Sequence, residues 1–238
     1  STLYRMARSK AYLFAGVEIR WRCDPALLAN DDPVPAEAVL HYPGGLSDYL
    51  NDATADTALL VSTPFADLVE LDGQKFEWAI TWLGAGEDGF FHSYCNTVPT
   101  PSGGTHEAGF RQAITRALRS FGDLAGNRKA AEITADDVFA GTAVMLSVFL
   151  RDPQFQGQTK DRLVSADATR QTEQAARDRF EQWLAADAAR ANFLLDAAIE
   201  RAEERKRRKK EREVARKSAT RRLRLPGKLA DCTASDTD

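Results

Sequence analysis

"TAVMLSVFL", residues 142–150, runs straight into "RDPQFQGQTKDRL", residues 151–163. The first segment has strand length, no charge and no alternation that would leave one face to water, so it reads as a central strand of a sheet covered by other elements. The second segment is a short connection before a long helical pattern, and it holds Lys160 between strand and helix. The neighbours of these two segments set the rest of the fold.

Upstream, "GGTHEAGFRQAITRALRSFGDL" is an amphipathic helix with Phe110, Ile114, Ala117, Leu118 and Phe121 on one face and Thr105 as its expected cap. That face is expected to cover the sheet. "TALLVSTPF", "KFEWAITWL" and "FFHSYCNTVPT" read as strands of an antiparallel meander, with "GAGEDG" as the turn between the last two. "GVEIRWRC" and "AEAVLHY" alternate like a hairpin around an Asp-, Asn- and Pro-rich loop at 24–35, and "GGLSDYLND" is a short helical turn. Residues 1–14 carry Leu3, Met6, Ala7, Lys10, Ala11 and Phe14 at helical spacing, as the end of a helix stopped by Gly16. "TADDVFAG" is a short capped helix before the central strand. The fold class is α+β, a sheet covered by helices on one face, followed by a long basic helix.

Downstream of the connection the pattern is helical almost to the end. Ala176, Phe180, Trp183 and Leu184 make one stripe, and Leu194, Ala197 and Ala198 another, with a break near Asp187. Beyond Ala202 the apolar face is lost. Residues 201–224 hold 13 Lys and Arg against 4 Glu, a local charge of +9 in a chain of net charge −3. Such a helix must be supported by i, i+4 ion pairs, bridge solvent, or be held by a partner. A polyanion is the partner this charge would attract, and with no aromatic residue in the run, duplex backbone contact suits it better than base stacking. A purely solvated arm is the plain alternative. Pro226 and Gly227 then stop the helix.

Other chemistry is thin. Cys23, Cys95 and Cys232 are odd in number and far apart, which suits reduced thiols rather than a disulfide framework or a zinc site. His106 has no HExxH context, and His41 and His92 are isolated, so no metal site is expected and His106 suits a structural hydrogen bond. No Walker A loop is present. Gln158 and Lys160, two residues apart, could offer an amide and an ammonium to one phosphate, or Lys160 could be an ordinary surface charge. No apolar stretch approaches a membrane span and no leader is evident, so a cytoplasmic protein with no membrane partner is expected.

Four segments in this order, "GGTHEAGFRQAITRAL", "DPQFQGQTKDRL", the basic helix and "LPGKLADC", resemble the B subunits of bacterial type IIA DNA topoisomerases over essentially the whole chain. "GVEIRW", "GGLSDYL", "SYCNTVPT" and "LPGKLADCTASD" resemble the topoisomerase IV branch more than gyrase B. The resemblance implies a fragment: residues 1–50 would end a GHKL ATPase domain, 51–222 would be a transducer of the ribosomal protein S5 domain 2 type including the long helix, and 223–238 would open a TOPRIM domain whose metal-binding acids lie elsewhere. It implies that Gln158 and Lys160 contact the γ-phosphate of ATP, and that ATP and Mg2+ serve the full-length enzyme but are not bound by this fragment alone. It also implies double-stranded DNA as partner, met by Lys206, Arg207, Lys209, Lys210, Arg216, Lys217, Arg221, Arg222 and Lys228, with Arg111 and Arg116 as weaker candidates facing a DNA cavity. The implied assembly joins two B subunits to two A subunits of topoisomerase IV, for relaxation, decatenation and chromosome segregation. The alternatives are the B subunit of gyrase and a stand-alone nucleic-acid-binding adaptor that uses no nucleotide.

Overall fold

A computed structural model of the chain describes residues 2–28 and 33–222, with side chains described to residue 216. The element order is α1 (Thr2–Leu13), β1 (Glu18–Arg22), β2 (Glu37–His41), α2 (Leu46–Ala53), β3 (Phe65–Leu71), β4 (Gln74–Trp82), β5 (Phe90–Cys95), β6 (Val98–Pro99), α3 (Thr105–Leu124), α4 (Ala135–Phe139), β7 (Thr142–Phe149), β8 (Phe155–Gln156), β9 (Arg162–Leu163), α5 (Ala166–Ala185) and α6 (Ala188–Arg222). Short 3-10 turns occupy Pro25–Leu27 and Arg128–Glu132. The Pro226–Gly227 stop, Lys228 and Cys232 lie outside the described residues, as do residues 29–32 of the 24–35 loop and the side chains of Lys217, Arg221 and Arg222.

β7 is central, as its apolar run requires. It pairs antiparallel with β4 on one edge and parallel with β5 on the other, in the order β3-β4-β7-β5-β6. The expected antiparallel meander is therefore corrected: β4 and β5 are not neighbours, because the chain returns through α3 and α4 and inserts β7 between them. An uncharged strand gains most from the position where both edges are paired and both faces are dry.

Two strand boundaries also differ from the sequence reading. The stretch 57–64 is irregular apart from one bridge, Leu59 to Leu83, and the strand begins at Phe65 and runs through "ADLVEL". Pro64 has no N–H for a ladder, and Asp72-Gly73, with φ of 52° and 71°, makes the tight turn that pairs β3 with β4. "FFHSYCNTVPT" is not one strand but a hairpin, reversed at Asn96 and Thr97 with φ of 49° and 65°. The Asn96 side chain exchanges bonds of 2.8 and 2.9 Å with the backbone of Leu150, carrying the sheet's pairing past the turn.

Helices cover both faces, not one. On the first, α3, α5 and α6 bury Phe110, Ile114, Phe180, Leu184 and Leu195 against Phe76, Trp78, Ile80 and Val144. On the second, Tyr12 and Leu13 of α1 and Leu46 and Leu50 of α2 pack on Ala79, Ala143 and Met145. α1 buries Ala11, Tyr12 and Leu13, whereas Leu3 and Met6 of the expected stripe are exposed. Only the last turn of α1 reaches the sheet.

α5 ends at Ala185 and α6 begins at Ala188. At this corner the Asp187 carboxylate accepts from the backbone N–H of Arg190. The Arg190 guanidinium lies 3.7 Å from the centroid of the Trp183 ring and donates to the Trp183 carbonyl. α6 then runs 35 residues, about 52 Å at 1.5 Å per residue.

α3 and α5 form the closest helix pair. A Cβ on Gly109 would stand 2.2 Å from the Thr169 carbonyl oxygen, and the Thr169 hydroxyl donates to the Thr105 carbonyl at 3.0 Å. We expect Gly109→Ala to push these helices apart and cost about 1–3 kcal/mol, read as a lower denaturant midpoint at unchanged slope in equilibrium unfolding.

Candidate functional site

The connection after β7 is a small hairpin. Phe155 pairs with Leu163 and Gln156 with Arg162, leaving residues 157–161 as its tip. Lys160 has φ of 58°, a left-handed conformation that costs a residue with a side chain energy and is held only where the surroundings fix it. Those surroundings lie at the base. Ser102 N–H donates to the Asp161 carbonyl at 3.0 Å, Leu163 N–H donates to the Gly103 carbonyl at 3.1 Å, and the Arg162 guanidinium donates to the Ser102 carbonyl at 3.3 Å. Gly104 lies so close that a Cβ there would be 2.3 Å from the Leu163 carbonyl oxygen.

This explains why Thr105 is not the cap of α3. Gly104 occupies the cap position because only glycine fits against the hairpin, and Thr105 is the first helical residue, its hydroxyl 3.5 Å from the Leu163 carbonyl. The base of the hairpin is core, with Leu163 fully buried, while Gln158 and Lys160 are exposed at the tip. The Lys160 ammonium sits 5.8 Å from the Phe155 ring centroid, and no carboxylate pairs with it among the described residues. An amide and an unneutralised ammonium on a stiff projection can meet an anionic oxygen.

Beneath the hairpin base lies a chain of polar side chains that the sequence did not reveal. Ser93 donates to the Glu107 carboxylate at 2.7 Å and shares a hydrogen bond of 2.6 Å with Thr100, whose hydroxyl is 3.1 Å from His106 Nε2. Burial raises the Glu107 carboxyl, against the opposing pull of Ser93, Arg111 and Arg162. Burial alone pushes the His106 imidazole down to about 4. The structural role expected of His106 is the one its hydrogen bond supports. No cluster of His, Cys, Asp and Glu suited to a metal occurs among the described residues.

The second candidate surface is the basic part of α6. Its first turns are tied to the domain by charged side chains of α4 and the preceding 3-10 turn. Arg205 makes a bidentate pair with Asp137 at 2.8 and 2.9 Å, Lys206 pairs with Glu132, and Glu203 pairs with Lys129 at 2.6 Å. Burial works to raise the Asp137 carboxyl, but hydrogen bonds from Arg205 and Thr134 outweigh it and hold the group below the usual carboxylate range. Arg207 is 4.0 Å from both Glu204 and Glu211, and Arg208 pairs with Glu204 at 2.5 Å. Lys209 and Lys210 have no acid partner among the described residues, and Arg216 is exposed. Of the weaker candidates, Arg116 pairs with Glu173, and Arg111 lies 4.8 and 4.7 Å from the ring centroids of Phe91 and Phe139. Arg201, Arg205, Arg208 and Arg212 join the site without having stood out in the sequence. Their helical spacing is visible there, but the acid that Arg205 faces, Asp137, comes from a distant segment.

A family profile described as DNA gyrase B matches residues 45–214. The chain is 52% identical over 241 residues to the B subunit of DNA topoisomerase 4 from Caulobacter vibrioides, covering 99% of this chain and 34% of that protein. It is 51% identical over 233 residues to the corresponding protein of Bartonella bacilliformis, covering 97% of this chain and 33% of that one. The chain thus spans about a third of the length of these relatives. Its α+β fold is similar to the crystal structure of the 43K ATPase domain of Thermus thermophilus gyrase B in complex with an aminocoumarin, with 26% identity and a TM-score of 0.73 over 90% of this chain and 56% of that one. No described helix is long and apolar enough to cross a membrane.

The buried imidazole carries a pH signature. Between the unfolded value near 6.5 and the folded value of about 4, the unfolded chain binds more protons, so stability falls as pH drops through this window, by up to ~3 kcal/mol. Glu107, raised in the fold, acts with the opposite sign. Thermal melts from pH 7 to pH 4.5 are expected to show a smaller acid-induced drop for His106→Asn than for the unaltered protein.

Proposed function

Since the chain belongs to the DNA gyrase B family, we propose that it is the coupling segment of the B subunit of an ATP-dependent type IIA DNA topoisomerase. In this reading residues 1–50 close a GHKL ATPase domain, residues 51–222 are a transducer with a sheet of the ribosomal protein S5 domain 2 type, and residues 223–238 open a TOPRIM domain. The boundary at residue 50 passes through α2, while the family match begins at residue 45, the cap of that helix. The names of the two relatives favour topoisomerase IV over gyrase, and family membership speaks against a stand-alone adaptor.

The observation that carries this reading is the hairpin. Gln158 and Lys160 are exposed at its tip, while its base is hydrogen-bonded to the segment that opens α3. That donor set suits a terminal phosphate: the amide can donate to an oxygen, and the ammonium stabilises charge there without giving up its proton. ATP with Mg2+, supplied to the complete protein, would bring the reactive phosphoanhydride. When the phosphate is present the tip is attracted to it, and when it leaves the attraction ends. The rigid base transmits either state to the sheet and so to α6.

The basic part of α6 supports a second contact of the same protein, with the backbone of double-stranded DNA. Lys206, Arg207, Lys209, Lys210 and Arg216 belong to this arm, as do Lys217, Arg221, Arg222 and Lys228. Backbone contact of this kind is independent of sequence and weakened by salt. The proposed assembly is a heterotetramer of two B subunits with two A subunits of topoisomerase IV, acting in relaxation and decatenation.

Lys160→Ala in the complete B subunit, assembled with its A subunit, is expected to lower ATP turnover about 100-fold, the scale of losing one fixed electrostatic contact. Binding to a DNA duplex should stay within about twofold, because phosphate contacts on α6 are untouched. Unchanged ATP turnover would remove the phosphate-contact role.

A further inference from the structure

Arg201, Arg205, Arg208, Lys209 and Arg212 are spaced i, i+4, i+7, i+8 and i+11, which puts all five on one face of α6. With Asp136, Asp137 and Ala140 of the α4 region they line a groove of about 460 Å³. Lys206, Arg207 and Lys210 fall on the other side of the helix.

The two sides differ in how their charges are satisfied. In the groove, Arg205 is matched by Asp137 and Arg208 by Glu204. Lys209 and Arg212 meet no acid among the described residues. Arg201 is half-buried, its guanidinium bonded to the Asp137 carbonyl at 3.2 Å, and burial lowers its pKa against the opposing pull of Glu200 and Asp137. Across the helix Lys206 is held by Glu132, Arg207 lies between Glu204 and Glu211, and Lys210 meets no acid among the described residues and lies outside the groove. Five cations face three acids in the groove, Asp136, Asp137 and Glu204, and a concave wall with an excess of positive charge focuses the field that an anion feels.

We propose that the groove between α4 and the Arg201–Arg212 face of α6 seats one sugar-phosphate strand of a nucleic acid, and that the Lys206–Arg207–Lys210 edge does not. The stripe is about 16 Å long at 1.5 Å per residue, enough to follow several consecutive phosphates of one strand. Arg205 stays with Asp137 and anchors the helix, while Arg201, Lys209 and Arg212 take the phosphates. The proposal rests on the duplex-binding reading of the arm and narrows it to one side.

The test uses the complete B subunit and a fluorescent DNA duplex of arbitrary sequence, with log of the binding constant measured against log of salt concentration. The pair Lys209→Gln with Arg212→Gln is expected to flatten the slope by about 2, one unit per released phosphate contact, and Lys206→Gln with Lys210→Gln to flatten it by less than half as much. Neither Lys209 nor Arg212 carries an ion pair of the described fold, and a thermal melt checks that both double variants fold. Equal or greater flattening by the Lys206 and Lys210 pair would overturn the groove while leaving the arm as the binding element. If neither pair moved the slope of a protein that still binds duplex, the groove and the arm reading would fall together.

Discussion

A single strand with no face to spare for water constrains everything around it. Seven of the eight residues of β7 are buried, and their burial is possible only because β4 and β5 take both edges and helices take both faces. α3 and α5 cover one side, and the ends of α1 and α2 cover the other. The strand also decides where the exposed tip stands, since β7 leads directly into the β8–β9 hairpin. The hairpin base is tied back to residues 102–104, and those open α3 on the same sheet. Tip, sheet and covering helix therefore share one set of backbone bonds.

Much of this is legible in the residues. The uncharged run at 142–150 indicates a central strand, "TADDVF" indicates a capped helix, and the apolar residues of α5 and α6 mark both helices and the break at Asp187. What the residues do not reveal has local physical causes. Pairing order is a long-range property, and nothing in "KFEWAITWL" or "FFHSYC" says that a strand from 60 residues downstream will separate them. The two tight turns at Asp72-Gly73 and Asn96-Thr97 are masked by the apolar runs beside them, which dominate the pattern. Thr105 has the chemistry of a cap, but the requirement for a bare backbone against Leu163 gives the position to Gly104.

The candidate site divides in the same way. Gln158 and Lys160 stand out by their spacing and by a resemblance, and the structure adds the stiff base that gives their position meaning. The Ser93–Glu107–Thr100–His106 chain is invisible in sequence because its members come from β5, the segment before α3, and α3 itself. In the basic arm, composition fixes the total charge but not its distribution. Asp137 serves two elements at once: its carboxylate closes the capping box of α4 with Thr134 and receives the guanidinium of Arg205. A residue that looks like a helix cap from its neighbours is also the anchor of a helix that begins more than 50 positions later.

The place where the last ion pairs release α6 has a mechanical meaning. The helix is held against the core through Ala202 and by the pairs of Arg205 to Asp137 and of Lys206 to Glu132, and residues 207–222 carry on past them. That stretch is about 24 Å long at 1.5 Å per residue, so tilting it by some 5° at the last anchor displaces the far end by roughly 2 Å. The same leverage works backwards: a load on the distal end would be borne first by the carboxylates of Asp137 and Glu132.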